Sequence, residues 1–181
     1  MFVEPPDFAA LVAESDTIVR GTVTAVESRR VTNQAGFEVI RTYVTVMVED
    51  AFKGTATHSL VLSLLGGRVG DDRMEVSGMP QFHVGDRDFL FVARNGEVLC
   101  PLIAAGHGRY PVVPSAVDHA AYVTRANHAP LRSTTQVITP LESDSINAQS
   151  STDAQALSVD AFAAAIRAEV RLSGPARRAL P

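Results

Sequence analysis

The sequence has a single cysteine, a single lysine and no tryptophan among 181 residues. With only Cys100, no intrachain disulfide can form. The thiol sits in the apolar run Val98-Leu99-Cys100-Pro101-Leu102, the setting of a buried, inert sulfur and not of a reactive one, which needs a basic and partly exposed surrounding. The only lysine is Lys53, against 15 arginines; with alanine so common, this is the mark of biased codon usage. The arginines are scattered among acids, and the formal net charge is −4. Phosphate contacts dominate nucleic-acid affinity and demand a basic stripe, so nucleic acid is not an expected partner. No apolar run approaches the ~18 residues of a membrane span. The opening MFVEPPDFAALVAESD has no basic start and no uninterrupted apolar stretch, so it is not an export signal. Either the chain stays in the cytoplasm or a signal has been removed from it. Hydrophobic residues at 46% and charged residues at 20% are ordinary globular usage and exclude wholesale disorder, collagen and disulfide-knot classes.

What is present is mainly β pattern. Asp7 can cap a short helix with Phe8, Leu11 and Val12 on one face. Residues 17–26, TIVRGTVTAV, alternate as a strand, and Gly21 inside it implies a bend or a close backbone approach. Residues 27–38 are rich in Arg29, Arg30, Asn33, Gln34 and Gly36 and read as a polar loop. Residues 39–52, VIRTYVTVMVEDAF, are the strongest strand signal. Fourteen extended residues span about 46 Å, so this strand must curl around the core and pair antiparallel with the first. Residues 60–65 form a short apolar strand ended by Gly66-Gly67. DFLFVAR and EVLCPLI flank Asn95-Gly96, a hairpin signal, with Pro101 placing the second strand at an edge or bulge. GRYPVV at 108–113 is a further strand. Residues 133–153 contain nine Ser or Thr among 21 and read as a loose segment. Order returns at Ser158, an N-cap with Leu157 and Phe162 at the staple positions. Val159, Phe162, Ile166 and Val170 then line one stripe, and Gly174-Pro175 ends the helix.

Chemistry-bearing patterns are weak. His58, His83, His107, His119 and His128 lack the close spacing of zinc ligands, and no HExxH occurs. Ser115, Asp118 and His119 are crowded in sequence, but a triad is defined by spatial roles, and no GxSxG elbow is present. Asp71-Asp72 lacks calcium-loop spacing. Gly66-Gly67-Arg68-Val69-Gly70 is not followed by the helix start that a phosphate loop needs. No catalytic residue, metal or cofactor is expected. The best candidate for a functional face is the stretch 66–86, too long for a simple hairpin connection. There Arg68, Asp71, Asp72 and Arg73 would form a polar rim around Met79 and Phe82, the layout of a contact patch. The same apolar residues could instead fold inward as a lid.

The runs LVAESDTIVRGTVTAVES, YVTVMVEDAFKG, LSLLGGRVGDDRMEVSGMPQFHVGDRDFLFV and GHGRYPV, covering residues 8–113, resemble a β-barrel module of exported bacterial proteins. That module stands alone or precedes a matrixin-like metalloprotease domain. It is similar to the OB-type barrel of netrin and tissue-inhibitor-of-metalloprotease domains. The final helix, LSVDAFAAAIRAEV, is a second shared piece. The strand pattern points to a small antiparallel barrel of five to six strands over 1–114, with a four-stranded half-sandwich as the competing arrangement, then an irregular or mobile segment over 115–157 and a helix over 158–174 docked on the barrel; the resemblance implies that the barrel is OB-like. It also implies export. It transfers no catalytic residue, because the inhibitor family chelates zinc through an N-terminal Cys-x-Cys that this chain lacks. The expected function is a non-enzymatic module making protein or cell-surface contacts. An enzyme with a site not visible in the sequence, and an OB-type sugar or nucleic-acid binder, are the alternatives.

Overall fold

A computed structural model describes residues 4–115, 120–141 and 156–174. Its frame is one long hairpin. β1 (Thr17–Thr32) and β2 (Glu38–Lys53) pair antiparallel along their whole length. The expected loop over 27–38 is instead strand up to Thr32 and again from Glu38. The polar residues that suggested a loop are the wet flanks of a two-stranded ribbon: Arg30 bridges across to Glu38 at 3.1 Å. Only 33–37 turn, held by Asn33 Oδ1, which accepts from the Ala35 and Phe37 amides at 3.0 and 2.9 Å.

The hairpin bends as expected. Its register shifts at Ile18/Val19, Arg20/Gly21 and Val23/Ala25, and each extra residue increases the local twist. At Gly21 the backbone of β2 comes so close that a Cβ would lie 2.6 Å from Val46 Cγ1 and collide with the Met47 carbonyl.

β3 (Ser59–Leu65) joins the outer edge of β2. A small ribbon of β4 (Gly67–Val69) and β5 (Asp72–Met74) folds away from it. β6 (Arg87–Val92), β7 (Arg109–Pro114) and β8 (Ala121–Val123) extend the main sheet, whose order is β3-β2-β1-β6-β7-β8. The fold is therefore mainly β, with six strands in the main sheet, but the sheet is open and not a closed barrel. The free edge of β3 is taken by a loop. Asn95 Oδ1 accepts from Ser63 N at 3.0 Å, Asn95 Nδ2 donates to the Val61 carbonyl at 2.7 Å, and Leu65 N donates to the Leu99 carbonyl. The expected hairpin around Asn95-Gly96 is reduced to a single bridge, Val92 with Leu102. Arg94 and Gly96 both take positive φ, which turns the chain toward β3 instead of back along β6.

Alternating side chains give the sheet two apolar faces. On one, Ile18, Phe89, Phe91 and Tyr110 meet two helices: α1 (Phe8–Glu14), capped by Asp7, and α2 (Val159–Ser173), capped by Ser158. Lys53 donates to the Val12 and Ala13 carbonyls at the end of α1. Phe162 of α2 is fully buried, with ring centroids 4.9 Å from Phe89 and 5.3 Å from Tyr110. On the other face, Val19, Val23, Val44, Val46, Leu62, Leu64, Leu90 and Val92 form a second core, with Phe82 and Leu102 over them.

The described part of the segment expected to be irregular, 120–141, is built into the fold. β8 extends the sheet, and Leu131 and Val137 are fully buried. The buried Arg125 donates to the Thr139 carbonyl, and Asn127 Nδ2 to that of Leu141 at 2.6 Å. The remainder of the expected loose stretch, 142–153, lies outside the described residues.

Two substitutions test this packing. Gly21→Ala is expected to destabilise by about 1–3 kcal/mol through overpacking against β2, and Phe162→Ala by about 3–5 kcal/mol through the cavity it leaves. Both are read from urea unfolding midpoints at unchanged m-value.

Candidate functional site

The segment between β5 and β6 carries the features that a site needs. It leaves the ribbon at Glu75, crosses the second apolar face and reaches β6 at Arg87. Two turns shape it: Met79 N donates to the Val76 carbonyl, and Asp86 N to that of His83. His83 N in turn donates to Asp86 Oδ2 at 2.8 Å.

Arg109, at the start of β7, fixes this segment. Its Nε donates to Asp88 Oδ1 at 2.9 Å, Nη2 to Asp86 Oδ2 at 2.9 Å and to Asp88 Oδ2 at 3.3 Å, and Nη1 to the Gln81 carbonyl at 2.6 Å. The guanidinium lies 4.1 Å from the ring centroid of Phe82, where the cation meets the negative face of the ring. Asp88 is almost fully buried. Desolvation pushes its carboxyl above the ordinary value of 3.8, while the charge and hydrogen bonds of Arg109 pull it back down. Arg109 thus directs four hydrogen bonds from its three nitrogens into the protein, and the group acts as a clamp.

The clamped segment is a wall between two grooves, and Pro80 and Gln81 line both. One groove, of about 810 Å³, runs beside Arg109, His83 and His128 toward Pro111 and Ala121. The other, of about 840 Å³, lies under the ribbon. Its floor is Val26, Val44 and Leu64, and Met79 and Phe82 close one end. Its lip carries Arg68, Arg73 and Glu75. The ribbon is seated on the hairpin through hydroxyls. Thr42 Oγ1 donates to the Gly66 carbonyl at 2.7 Å, so its contact with Ser28 Oγ at 2.9 Å is one in which the serine donates. Gly67, at φ +134°, sits directly on those two hydroxyls, leaving no room for a Cβ.

The six expected contact residues divide. Arg68, Asp71, Asp72 and Arg73 are all exposed on the ribbon. Asp72 is paired with Arg30, Arg73 with Glu75, and Arg68 donates to the Gly70 carbonyl. Met79 is half-buried against the second core. Phe82 is 8% exposed and faces inward beneath Arg109; Arg68 and Arg73 line the same groove as Met79, and Asp71 and Asp72 are not among its lining residues.

The other candidates remain apart. His58 is exposed and contacts Thr57 Oγ1, His83 is exposed 3.8 Å from Asp86, and His128 is exposed at positive φ. Asp118 and His119 lie outside the described residues. Among the described residues, no group of three or more His, Cys, Asp or Glu could hold a metal ion. Burial pushes the Cys100 thiol up, against a smaller opposite effect of a backbone hydrogen bond at Leu102, so it is a poor nucleophile. No described helix is long and apolar enough to cross a membrane. The Arg109 clamp was missed in the sequence. Its signal was there in the pair of short runs FHVGDRD and GHGRYPV, which contribute Phe82, Asp86, Asp88 and Arg109 to one cluster.

The chain matches no protein-family model, and no curated protein matches it at a significant level.

Removing Arg109 leaves the Asp88 carboxylate buried without its partner, which costs about 3–5 kcal/mol. The pH dependence follows from the raised carboxyl. A group whose folded value is raised contributes stability that is full below its unfolded value and is lost as pH rises through the folded one. Arg109→Met removes the influence that holds Asp88 down. The deficit of the variant is therefore expected to be small near its ordinary value of 3.8 and to grow toward neutral pH. Thermal unfolding of both proteins across that range checks it.

Proposed function

We propose that the chain is a non-enzymatic binding module, of the exported kind that its motifs resemble, which takes an extended segment of a protein partner in the groove under the β4–β5 ribbon. The observation that carries the reading is the groove itself. Its apolar floor stands on paired strands, and its wall is clamped by Arg109, so little ordering remains to be done on binding. Val26, 39% exposed, and Met79 offer the apolar anchor points. Arg68, exposed and without an acidic partner among the described residues, offers charge to the lip. The fitting partner segment carries an apolar side chain flanked by an acidic one. Apolar contact at the centre with charge at the edge is the ordinary division of labour in an interface.

A photo-crosslinking residue in place of exposed Ser77, at the groove, is expected to give a defined adduct in the secreted fraction, and the same group at exposed Thr57 none. Arg68→Glu is expected to reduce the adduct while leaving the melting temperature unchanged. Equal labelling from both positions, or labelling indifferent to Arg68→Glu, contradicts the reading.

A further inference from the structure

Strand β1 has two neighbours over only part of its length. β6 pairs with it from Thr17 to Thr22. Val23 then donates to the Asp86 carbonyl and accepts from Gly85 N, both at 2.8 Å. From Thr24 to Thr32 no described strand pairs with this side of β1. Seven of these nine residues are exposed. Past the irregularity at Thr24, a strand edge of this length is a template for another strand.

We propose that the chain forms a symmetric homodimer in which the Thr24–Thr32 edges of two copies pair antiparallel, centred on Ser28. The argument is one of register. Two identical edges pair antiparallel only around a two-fold axis perpendicular to the sheet, and the axis then sets one residue opposite its own copy. A centre on Glu27, Arg29 or Arg30 sets like charge directly against like charge, which is destabilising. A centre on Glu27 or earlier also carries the second copy's strand into the place that β6 holds beside Thr22. A centre on Ser28 avoids both faults. It sets Glu27, which pairs with Arg29 of its own chain at 2.8 Å, opposite Arg29 of the second copy as well, and the symmetry makes that cross-strand pair twice.

The rest of the register fits. Arg30, already engaged by Glu38 and Asp72 of its own chain, faces the second copy's Val26 and need not change partner. Ala25 faces Val31, and Thr24 faces Thr32. The midpoint of the free edge is Ser28 itself, so the pairing uses all of it. Past Thr32, the second copy's 33–37 turn arrives at the His83–Asp86 turn. These two turns carry Phe37 and Val84, which are 68% and 66% exposed.

The competing account is that Glu27, Arg29 and Arg30 protect the edge from any pairing. Sedimentation equilibrium of the full chain across the micromolar range separates the two. A reversible dimer is expected. Glu27→Arg sets arginine against arginine twice and is expected to weaken it at least about tenfold. The double variant Glu27→Arg, Arg29→Glu exchanges the charges and is expected to restore it. Both side chains are more than half exposed, so circular dichroism should show an unchanged fold. Amide exchange in the unmodified chain gives a second readout: protection of 24–32 should rise with protein concentration. A monomer at all concentrations, a dimer indifferent to Glu27→Arg, or a double variant no better than the single one overturns the proposal. So does association with a different protein alone.

Discussion

One guanidinium decides where the 76–86 segment lies. Arg109 reaches from β7 to the Gln81 carbonyl, to Asp86 in the turn and to Asp88 at the start of β6, and it covers the ring of Phe82. Removing the clamp would release three things together: the inward position of Phe82, the wall shared by both grooves, and the seating of Gly85 and Asp86 against Val23. A buried ion pair of this kind is weak evidence of net stability, because the loss of hydration offsets much of the attraction. Its value lies in specifying one arrangement. An apolar staple would hold Phe82 down without fixing the carbonyl of Gln81 or the carboxylate of Asp86.

The sheet supports this arrangement by dividing its work between its faces. The helix face is an aromatic core centred on Phe162, whose ring packs against those of Phe89, Phe91 and Tyr110. The opposite face is only partly covered, by the clamped segment and by the loop that Asn95 pins to β3. The groove lies between the clamped segment and the β4–β5 ribbon, and Val26 and Ser28 from the part of β1 beyond β6 line it. Groove and strand edge are thus two aspects of one fact: β6 is six residues long and β1 is sixteen.

Local pattern made much of this legible. The capped helices, the curling hairpin strands and the bend at Gly21 follow from alternation, capping chemistry and a glycine in mid-strand. What was not legible depended on distant partners. The polar run Glu27–Thr32 looks like a loop until Glu38 and Tyr43 stand beside it. Asn95-Gly96 suggests a hairpin, but the asparagine amide finds the edge of β3, more than thirty residues earlier. Barrel closure failed for the same reason, since a loop had already taken that edge. At the site, the charges of the ribbon were read correctly as exposed. Met79 and Phe82 were open between a contact patch and an inward lid; Phe82 takes the inward place, under an Arg109 that stands twenty-seven positions later.

The central claim is that a clamp at Arg109 pre-forms the groove wall. Native-state hydrogen exchange of Arg109→Lys tests it most directly, because lysine keeps the charge but cannot donate to Asp86, Asp88 and Gln81 together. Amides of 76–86 are expected to exchange much faster than in the unmodified chain, with those at the centre of the β1–β2 pairing unchanged. Equal acceleration of both regions, or none in either, would contradict it.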